Sequence, residues 1–156
     1  MQKRNQKRLS IVLLVMALCS VTFFSFSVRP GGDHFEVYLN KKLVFQQFVT
    51  QTAGVKTFSL DQSHVNDQVD IFYSHCGKIG NKRTIVIKDG KNVLKQWRFA
   101  DIAGKKYMSV GAKEIIALQI KNGDSKLSLY YSSEQLPEGR LLAAVILNTD
   151  DNKAMP

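Results

Sequence analysis

Residues 68–74, QVDIFYS, decide the fold class, because apolar and polar side chains alternate along them. In an extended chain Val69, Ile71 and Tyr73 point to one face of a sheet, while the residues between them point to the other. Residues 127–133, LSLYYSS, alternate in the same way. The pattern therefore predicts strands with one buried face.

Similar runs recur through the rest of the chain. They are short, rich in β-branched and aromatic residues, about 8–14 residues apart, and separated by polar turn clusters. The runs are FEVYLN, LVFQQFV, KTFSL, QVDIFYS, RTIVIK, VLKQWRF, KLSLYYS and RLLAAVIL. This spacing predicts an all-β fold, a single antiparallel β-sandwich of about 8–9 strands, Ig-like or jelly-roll-like.

The two halves of this region resemble each other. The stretch KTFSLDQSHVNDQVDIFYS, from Lys56, aligns without a gap with EIIALQIKNGDSKLSLYYS, from Glu114. Tyr73 then matches Tyr131, and each half reads as a hairpin, a strand, a loop and a strand. We interpret this as a candidate internal two-unit repeat, in which each unit buries one apolar face against the other.

Residues 110–120 are ambiguous, because a short apolar run fits either a strand or a short helix. The alignment places Leu118 over Leu60 of a predicted strand, so we favour a strand here. It also assigns an insertion to residues 101–109 of the second unit. Loops that lengthen without a structural need often carry function.

The N-terminus predicts export. Four cations precede an uncharged run from Leu9 to Val28, which is close to the length that spans a bilayer. Ser25 and Ser27 suit cleavage after Ser27, whereas without cleavage residues 10–28 anchor the chain in the membrane. The charge asymmetry sends the remainder across in either case, to a periplasmic or other extracytoplasmic location.

The predicted domain organisation follows from these patterns. Residues 1–28 form a signal peptide or signal-anchor helix, 29–34 a linker, 35–148 the β-sandwich domain, and 149–156 a flexible tail. The formal charge of +9 falls to +5 when residues 1–27 and their four cations are removed. Because the lysines are scattered and the domain is exported, nucleic acid is not an expected partner.

The cysteines predict a domain without a disulfide. Cys19 lies in the export segment, and Leu18 before it does not suit a lipoprotein signal, which needs a small residue there. Cys76 is then left alone in the exported domain.

Residues 70–83, DIFYSHCGKIGNKR, combine His75 and Cys76 with glycines and cations. A thiolate nucleophile needs nearby cations and a base, but adjacent strand residues point to opposite faces unless the chain turns, as Gly77 allows. Packing, ligand or metal contact, and catalysis all remain open for this pair, and packing is favoured. We predict no catalytic residue.

Metal and cofactor signals are weak throughout the chain. His34, His64 and His75 lack the paired spacing of a metal site. The aspartates do not recur as in a calcium loop, and no glycine-rich phosphate loop is present. We therefore predict neither a metal site nor a cofactor.

The predicted ligand-binding region is the set of loops at one end of the sandwich: Ser74–Arg83, Ser133–Arg140 and Ala103–Ser109. The doublet Tyr130-Tyr131 must place one ring outward, as in carbohydrate and peptide grooves. The candidate residues are His75, Cys76, Lys78, Lys82, Arg83, Lys105, Lys106, Tyr107, Tyr130 and Arg140.

The favoured function is a non-catalytic binding or interaction module of the cell envelope, with an envelope protein or a carbohydrate as its partner. If residues 10–28 are not cleaved, they also anchor the protein in the membrane. One alternative is a small cysteine-dependent or redox enzyme that uses Cys76 with His75. Another is a structural envelope subunit that associates through a sheet edge.

Overall fold

The computed structural model describes residues 32–49, 54–104, 106–123 and 126–148. The predicted export segment, residues 1–28, and the predicted tail lie outside the described residues. Within the described part of the chain, no helix is long and apolar enough to cross a bilayer. The described residues belong to the predicted β domain and to the end of the predicted linker.

This part of the chain is mostly β. Its strands, in chain order, are β1 (His34–Leu39), β2 (Lys42–Phe48), β3 (Lys56–Leu60), β4 (Gln68–Ser74), β5 (Thr84–Asp89), β6 (Asn92–Arg98), β7 (Met108–Gly111), β8 (Leu127–Ser133) and β9 (Leu136–Leu147). A 3-10 turn (Gln62–His64) precedes β4, and one α-helix, α1 (Ala112–Lys121), precedes β8.

The strands form two sheets. The first has the order β2-β1-β4-β7, and all its neighbours are antiparallel. The second has the order β3-β9-β8-β5-β6. The prediction of a purely antiparallel fold is wrong for one pair, since β3 runs parallel to β9. The two strands are far apart in the chain, with β4 to β8 between them, and such a long connection permits parallel pairing.

The alternation that predicted β4 also builds the core. Val69 and Ile71 are fully buried and Tyr73 is 1% exposed, and they belong to one hydrophobic cluster with buried side chains of the second sheet. Each fully buried aliphatic side chain contributes roughly 1.5–3 kcal/mol of transfer free energy. The two sheets therefore share one core.

Residues 112–121 form a helix, so the predicted strand over residues 110–120 is wrong except at its start, where β7 ends. The buried residues Ala112, Ile115, Ile116 and Gln119 recur at helical spacing and give the segment one inward face. The backbone of Gly111 is extended at the N-cap, where the strand gives way to the helix. The buried face of this segment therefore makes it a helix, although its alignment with KTFSL predicted a strand.

Side chains at both ends of α1 fix it against the second sheet. Gln119 donates through Nε2 to the backbone oxygen of Val145, 3.1 Å away. Glu114 accepts hydrogen bonds from Lys95 and from the Trp97 indole of β6. Trp97 is half-buried against the core, consistent with a packing role.

The repeat predicted from the sequence has a partial counterpart in the pairing. The β1-β2 hairpin with β4 and the β5-β6 hairpin with β8 pair in the same antiparallel order. Both hairpins shift register at the corresponding place, between Val37 and Tyr38 and between Ile87 and Lys88. The alignment over α1 does not hold, because Leu118 is helical.

The extra residues of the second unit lie elsewhere than predicted. Residues 61–67 connect β3 to β4, whereas the longer stretch 112–126 connects β7 to β8. The assignment of the insertion to residues 101–109 is therefore wrong: most of the added chain is α1 and the turn after it. Met108 and Ser109 belong to β7.

Candidate functional site

A cluster of polar side chains lies between the two sheets, at the end where β4 and β8 finish. His75 directly follows β4 and is mostly buried, with a side chain 14% exposed. Its Nε2 atom is 3.0 Å from the Tyr131 hydroxyl and 3.1 Å from the Ser133 hydroxyl. Its Nδ1 atom is 3.5 Å from Oδ2 of Asp33. We call these residues, with Tyr73, the inter-sheet cluster.

Asp33 connects the inter-sheet cluster to the surface. The Tyr73 hydroxyl donates to Oδ2 of Asp33 at 2.9 Å, and the Cys76 thiol lies 3.7 Å from Oδ1. Burial, with a further contribution from this carboxylate, raises the pKa of Tyr73 above its ordinary range. Burial also raises the pKa of Tyr131. Both phenols are therefore neutral at physiological pH.

The order Asp33, His75, Ser133 resembles the acid, base and nucleophile of a hydrolytic triad. Ser133, however, is only 5% exposed, and Nε2 of His75 is shared with Tyr131. The chain at Gly80 closes over the group: a Cβ added there would lie 2.6 Å from the Tyr131 hydroxyl and 2.9 Å from Cβ of Ser133. A reacting carbonyl needs room beside the nucleophile. The geometry therefore favours a structural role for the cluster.

His75 and Cys76, adjacent in sequence, have different partners. The chain turns at Cys76, where φ is +50°, and the exposed thiol contacts Asp33. The imidazole instead reaches Tyr131 and Ser133. The hydrogen bonds of this turn thus do not join the thiol to the imidazole.

The three histidines have different neighbours. His34 is on the outer face of β1, His75 is in the inter-sheet cluster, and His64 caps the 3-10 turn beside Asp61. Within the described residues, no three histidine, cysteine, aspartate or glutamate side chains are arranged to hold a metal ion.

Two of the predicted binding loops meet in a cleft of about 290 Å³, which we call the loop cleft. It is lined by Ile79–Asn81 and Arg83 on one side and Asp101–Gly104 on the other. Asp101 accepts a hydrogen bond from the Lys82 backbone at 2.9 Å. The Lys82 ammonium pairs with Glu134 of the third predicted loop at 3.2 Å.

The polar groups around the loop cleft are largely engaged within the protein. The guanidinium of Arg83, 2% exposed, donates to the backbone oxygens of Lys106 at 3.0 Å and Ala100 at 3.5 Å. The Asn81 backbone donates to Gln135. Arg83 therefore acts first as a connector of loops.

The remaining predicted residues are dispersed. Lys78, Lys82 and Lys106 are exposed, and Lys105 lies outside the described residues. Tyr130 is half-buried on the outer face of the second sheet, under the ammonium of Lys88. The rest of the predicted set is placed as follows: Arg140 is half-buried in β9, and Tyr107 is exposed before β7.

A row of partly exposed rings on the outer face of the first sheet was not predicted. The centroids of Phe48 and His34 are 5.5 Å apart, and His34 is 5.5 Å from Phe72. Phe72 is 5.9 Å from Tyr107, and Tyr107 is 5.5 Å from Tyr38. We call these five residues the aromatic face. Phe48 is 58% exposed and Tyr107 is 48% exposed.

A pocket of about 370 Å³ lies at the Tyr38 end of the aromatic face. Its walls are Tyr38 and Tyr107, whose rings meet at 88°, with Lys41, Asp70 and Ser109 around them. The Ser109 hydroxyl donates to Asp70 at 2.5 Å. The pocket thus combines ring surfaces with an ammonium, a carboxylate and a hydroxyl.

The Tyr38 hydroxyl is fixed beside the pocket. It donates to Glu36 at 2.5 Å, and this bond raises the pKa of Tyr38 above its ordinary range. The sequence signal for the aromatic face was the outward position of Phe72, between the inward residues of QVDIFYS.

A scan against protein-family models gives no match, and searches of curated proteins and of solved structures reveal no significant similarity to this chain.

Proposed function

We propose that this chain is an exported or membrane-anchored cell-envelope protein whose described part is a β-sandwich with an internal repeat, Ig-like or jelly-roll-like, and that it acts as a non-catalytic binding module. The shared core of the two sheets supports the sandwich. The cationic start and the uncharged run from Leu9 to Val28 support export.

The aromatic face carries the proposal. Five rings in continuous contact lie on the outer surface of the first sheet, and about half of the surface of Phe48 and of Tyr107 is exposed. Soluble domains rarely leave contiguous apolar surface in water without a role, and aromatic side chains are enriched where proteins bind. Tyr107, one of the residues predicted from the sequence, is part of it.

The aromatic face is a better candidate than the loop cleft. At the loop cleft, Arg83, Asp101 and Lys82 already bond to neighbouring loops, so a ligand would have to break internal hydrogen bonds. On the aromatic face a ligand displaces only water from exposed rings. Binding at the aromatic face therefore has a lower free-energy cost than binding at the loop cleft.

Hydroxyl-radical footprinting of the full-length chain in detergent solution tests this proposal. Adding fragments of cell envelope should reduce oxidation at Phe48 and Tyr107. Oxidation of Tyr130 and Val93, on the second sheet, should not change. Protection only at Ile79 and Ile102, beside the loop cleft, would move the site there, and no protection anywhere would contradict the binding function.

The location is tested separately. The mass of the N-terminus of the protein recovered from cells distinguishes cleavage after Ser27 from a retained anchor. Recovery of the intact chain from the cytosolic fraction would contradict export.

A second candidate, a structural subunit, is favoured by the edge strand β2. Leu43 and Val44 on this edge are 53% and 40% exposed, and an unpaired strand edge can pair with another chain. Sedimentation equilibrium would then show a mass that rises with concentration. The change Val44→Lys would suppress the rise while leaving the aromatic face intact.

A further inference from the structure

The geometry points to an oligosaccharide as the ligand of the aromatic face, with one sugar unit held in the pocket formed by Tyr38, Lys41, Asp70, Tyr107 and Ser109. This inference rests on the proposed binding function and specifies the ligand class of the same site. It follows from the extent of the row, the orientation of its rings and the polar groups beside them.

The row is long enough for several sugar units. His34 and Tyr38 lie four positions apart on the same face of β1, which corresponds to about 13 Å along the strand. Phe48 extends the row beyond His34 towards the sheet edge. Pyranose rings present apolar C–H faces that pack on aromatic rings, so a chain of sugars can contact the row repeatedly.

The orientation of the rings excludes a flat ligand. Neighbouring planes differ by 35° between His34 and Phe48, by 52° between Phe72 and Tyr107, and by 88° between Tyr107 and Tyr38. A crystalline polysaccharide surface would need coplanar rings. A single flexible glycan chain can follow the changing planes.

The polar groups match sugar hydroxyls. Asp70 accepts the Ser109 hydroxyl, and a carboxylate has about four lone-pair sites in all, so it can accept further bonds from a sugar. Lys41, exposed at the pocket rim, can donate to a hydroxyl oxygen. Hydrogen bonds with one charged partner are stronger than neutral ones, which gives orientation to the bound unit.

The same groups argue against an apolar partner. Glu36 lies within the row and Asp70 beside it. An apolar protein surface or the acyl region of a membrane would bury both carboxylates without adequate partners, at a large desolvation cost. A ligand rich in hydroxyls satisfies them while it covers the rings.

Isothermal titration of the full-length chain in detergent solution with cellohexaose, chitohexaose and peptidoglycan glycan strands tests the inference. At least one should bind saturably, and at least about tenfold more tightly than its monosaccharide, because several units contact the row. Phe48→Ala and Tyr107→Ala should each weaken binding about tenfold. Tyr130→Ala, which removes a ring from the opposite sheet, should not.

Asp70→Asn provides a second test that keeps the side-chain shape. It should weaken binding several-fold with an unchanged unfolding temperature. If Tyr107→Ala fails to fold, the affinity of Asp70→Asn tests the site in its place. No binding to any of the three saccharides would overturn the inference, as would binding that neither Phe48→Ala nor Asp70→Asn affects. If envelope fragments still protect Phe48 and Tyr107 in that case, the binding function stands and the ligand is another class.

Discussion

The rings of Tyr73 and Tyr131 stack with their centroids 4.2 Å apart and their planes 9° apart. Tyr73 belongs to β4 of the first sheet and Tyr131 to β8 of the second, so the stack joins the two sheets. Their hydroxyls also contact Asp33 and His75 of the inter-sheet cluster. The pair therefore connects the apolar core to its polar end.

Tyr131→Ala should destabilise the domain by about 3–5 kcal/mol, because it removes a fully buried ring from the stack and leaves a cavity. Tyr130→Ala, at the half-buried neighbouring position, should cost about 1 kcal/mol or less. Urea denaturation of both variants measures the difference. Similar losses for the two would show that the stack is not central to the core.

Stability should fall above about pH 10. The pKa values of Tyr73 and Tyr131 are raised in the folded state, so near pH 10 the unfolded chain releases these protons while the folded chain keeps them. The contribution of these tyrosines to the free energy of unfolding is complete below pH 10. It decreases as pH rises, by up to about 1.4 kcal/mol per pH unit for each tyrosine. Denaturation between pH 8 and 11 should show this slope, and Tyr131→Phe should reduce it. An equal slope in that variant would refute the assignment.

Gly80→Ala should destabilise the domain by about 1–3 kcal/mol through overpacking. The added Cβ would lie 2.9 Å from Nε2 of His75 and 2.6 Å from the Tyr131 hydroxyl, both largely buried. Gly54→Ala is the matched control, because nothing lies within 4 Å of its added Cβ. Its stability should change by less than about 1 kcal/mol. If thermal unfolding did not distinguish the two, the chain at Gly80 would not be closely packed.

Acid should weaken the attachment of α1 to β6. Hydrogen bonding from Lys95 is the main cause that lowers the pKa of Glu114 in the folded state. The resulting stability is present above the unfolded pKa of about 4.3 and is lost as pH falls through the lower folded value. Glu114→Gln should therefore reduce the acid dependence of unfolding between pH 5 and 2. Trp97, the only tryptophan, reports the transition by fluorescence. An unchanged acid dependence would contradict the role of Glu114.

The strands were predictable where one face is buried. In residues 68–74 and 127–133, buried side chains alternate with more exposed ones, so the local sequence alone indicates a strand. The helix α1 was not, because Ile115 and Ile116 are adjacent and suit either period within a short run. Gln119 completes the buried face of the helix, but a search for apolar periodicity does not count a glutamine as a buried position.

The candidate sites depend on contacts between distant parts of the chain. His75 meets Ser133 only because β4 and β8 pack across the two sheets. His34, Phe72 and Tyr107 form a row only because of the register between β1, β4 and the segment before β7. Sequence alone showed that Phe72 faces outward and that Tyr107 lies in a candidate loop, but it did not show that they are neighbours.

The most direct test of the binding function compares two variants of the full-length chain for the amount bound to cell-envelope fragments in detergent solution. The double variant Phe48→Ala/Tyr107→Ala should bind at least about tenfold more weakly than the parent chain, while Tyr130→Ala should bind like the parent. Both variants should remain folded at the temperature of the measurement, because the changed rings are at least partly exposed. If the double variant folded and bound as tightly as the parent, the aromatic face would not be the binding surface.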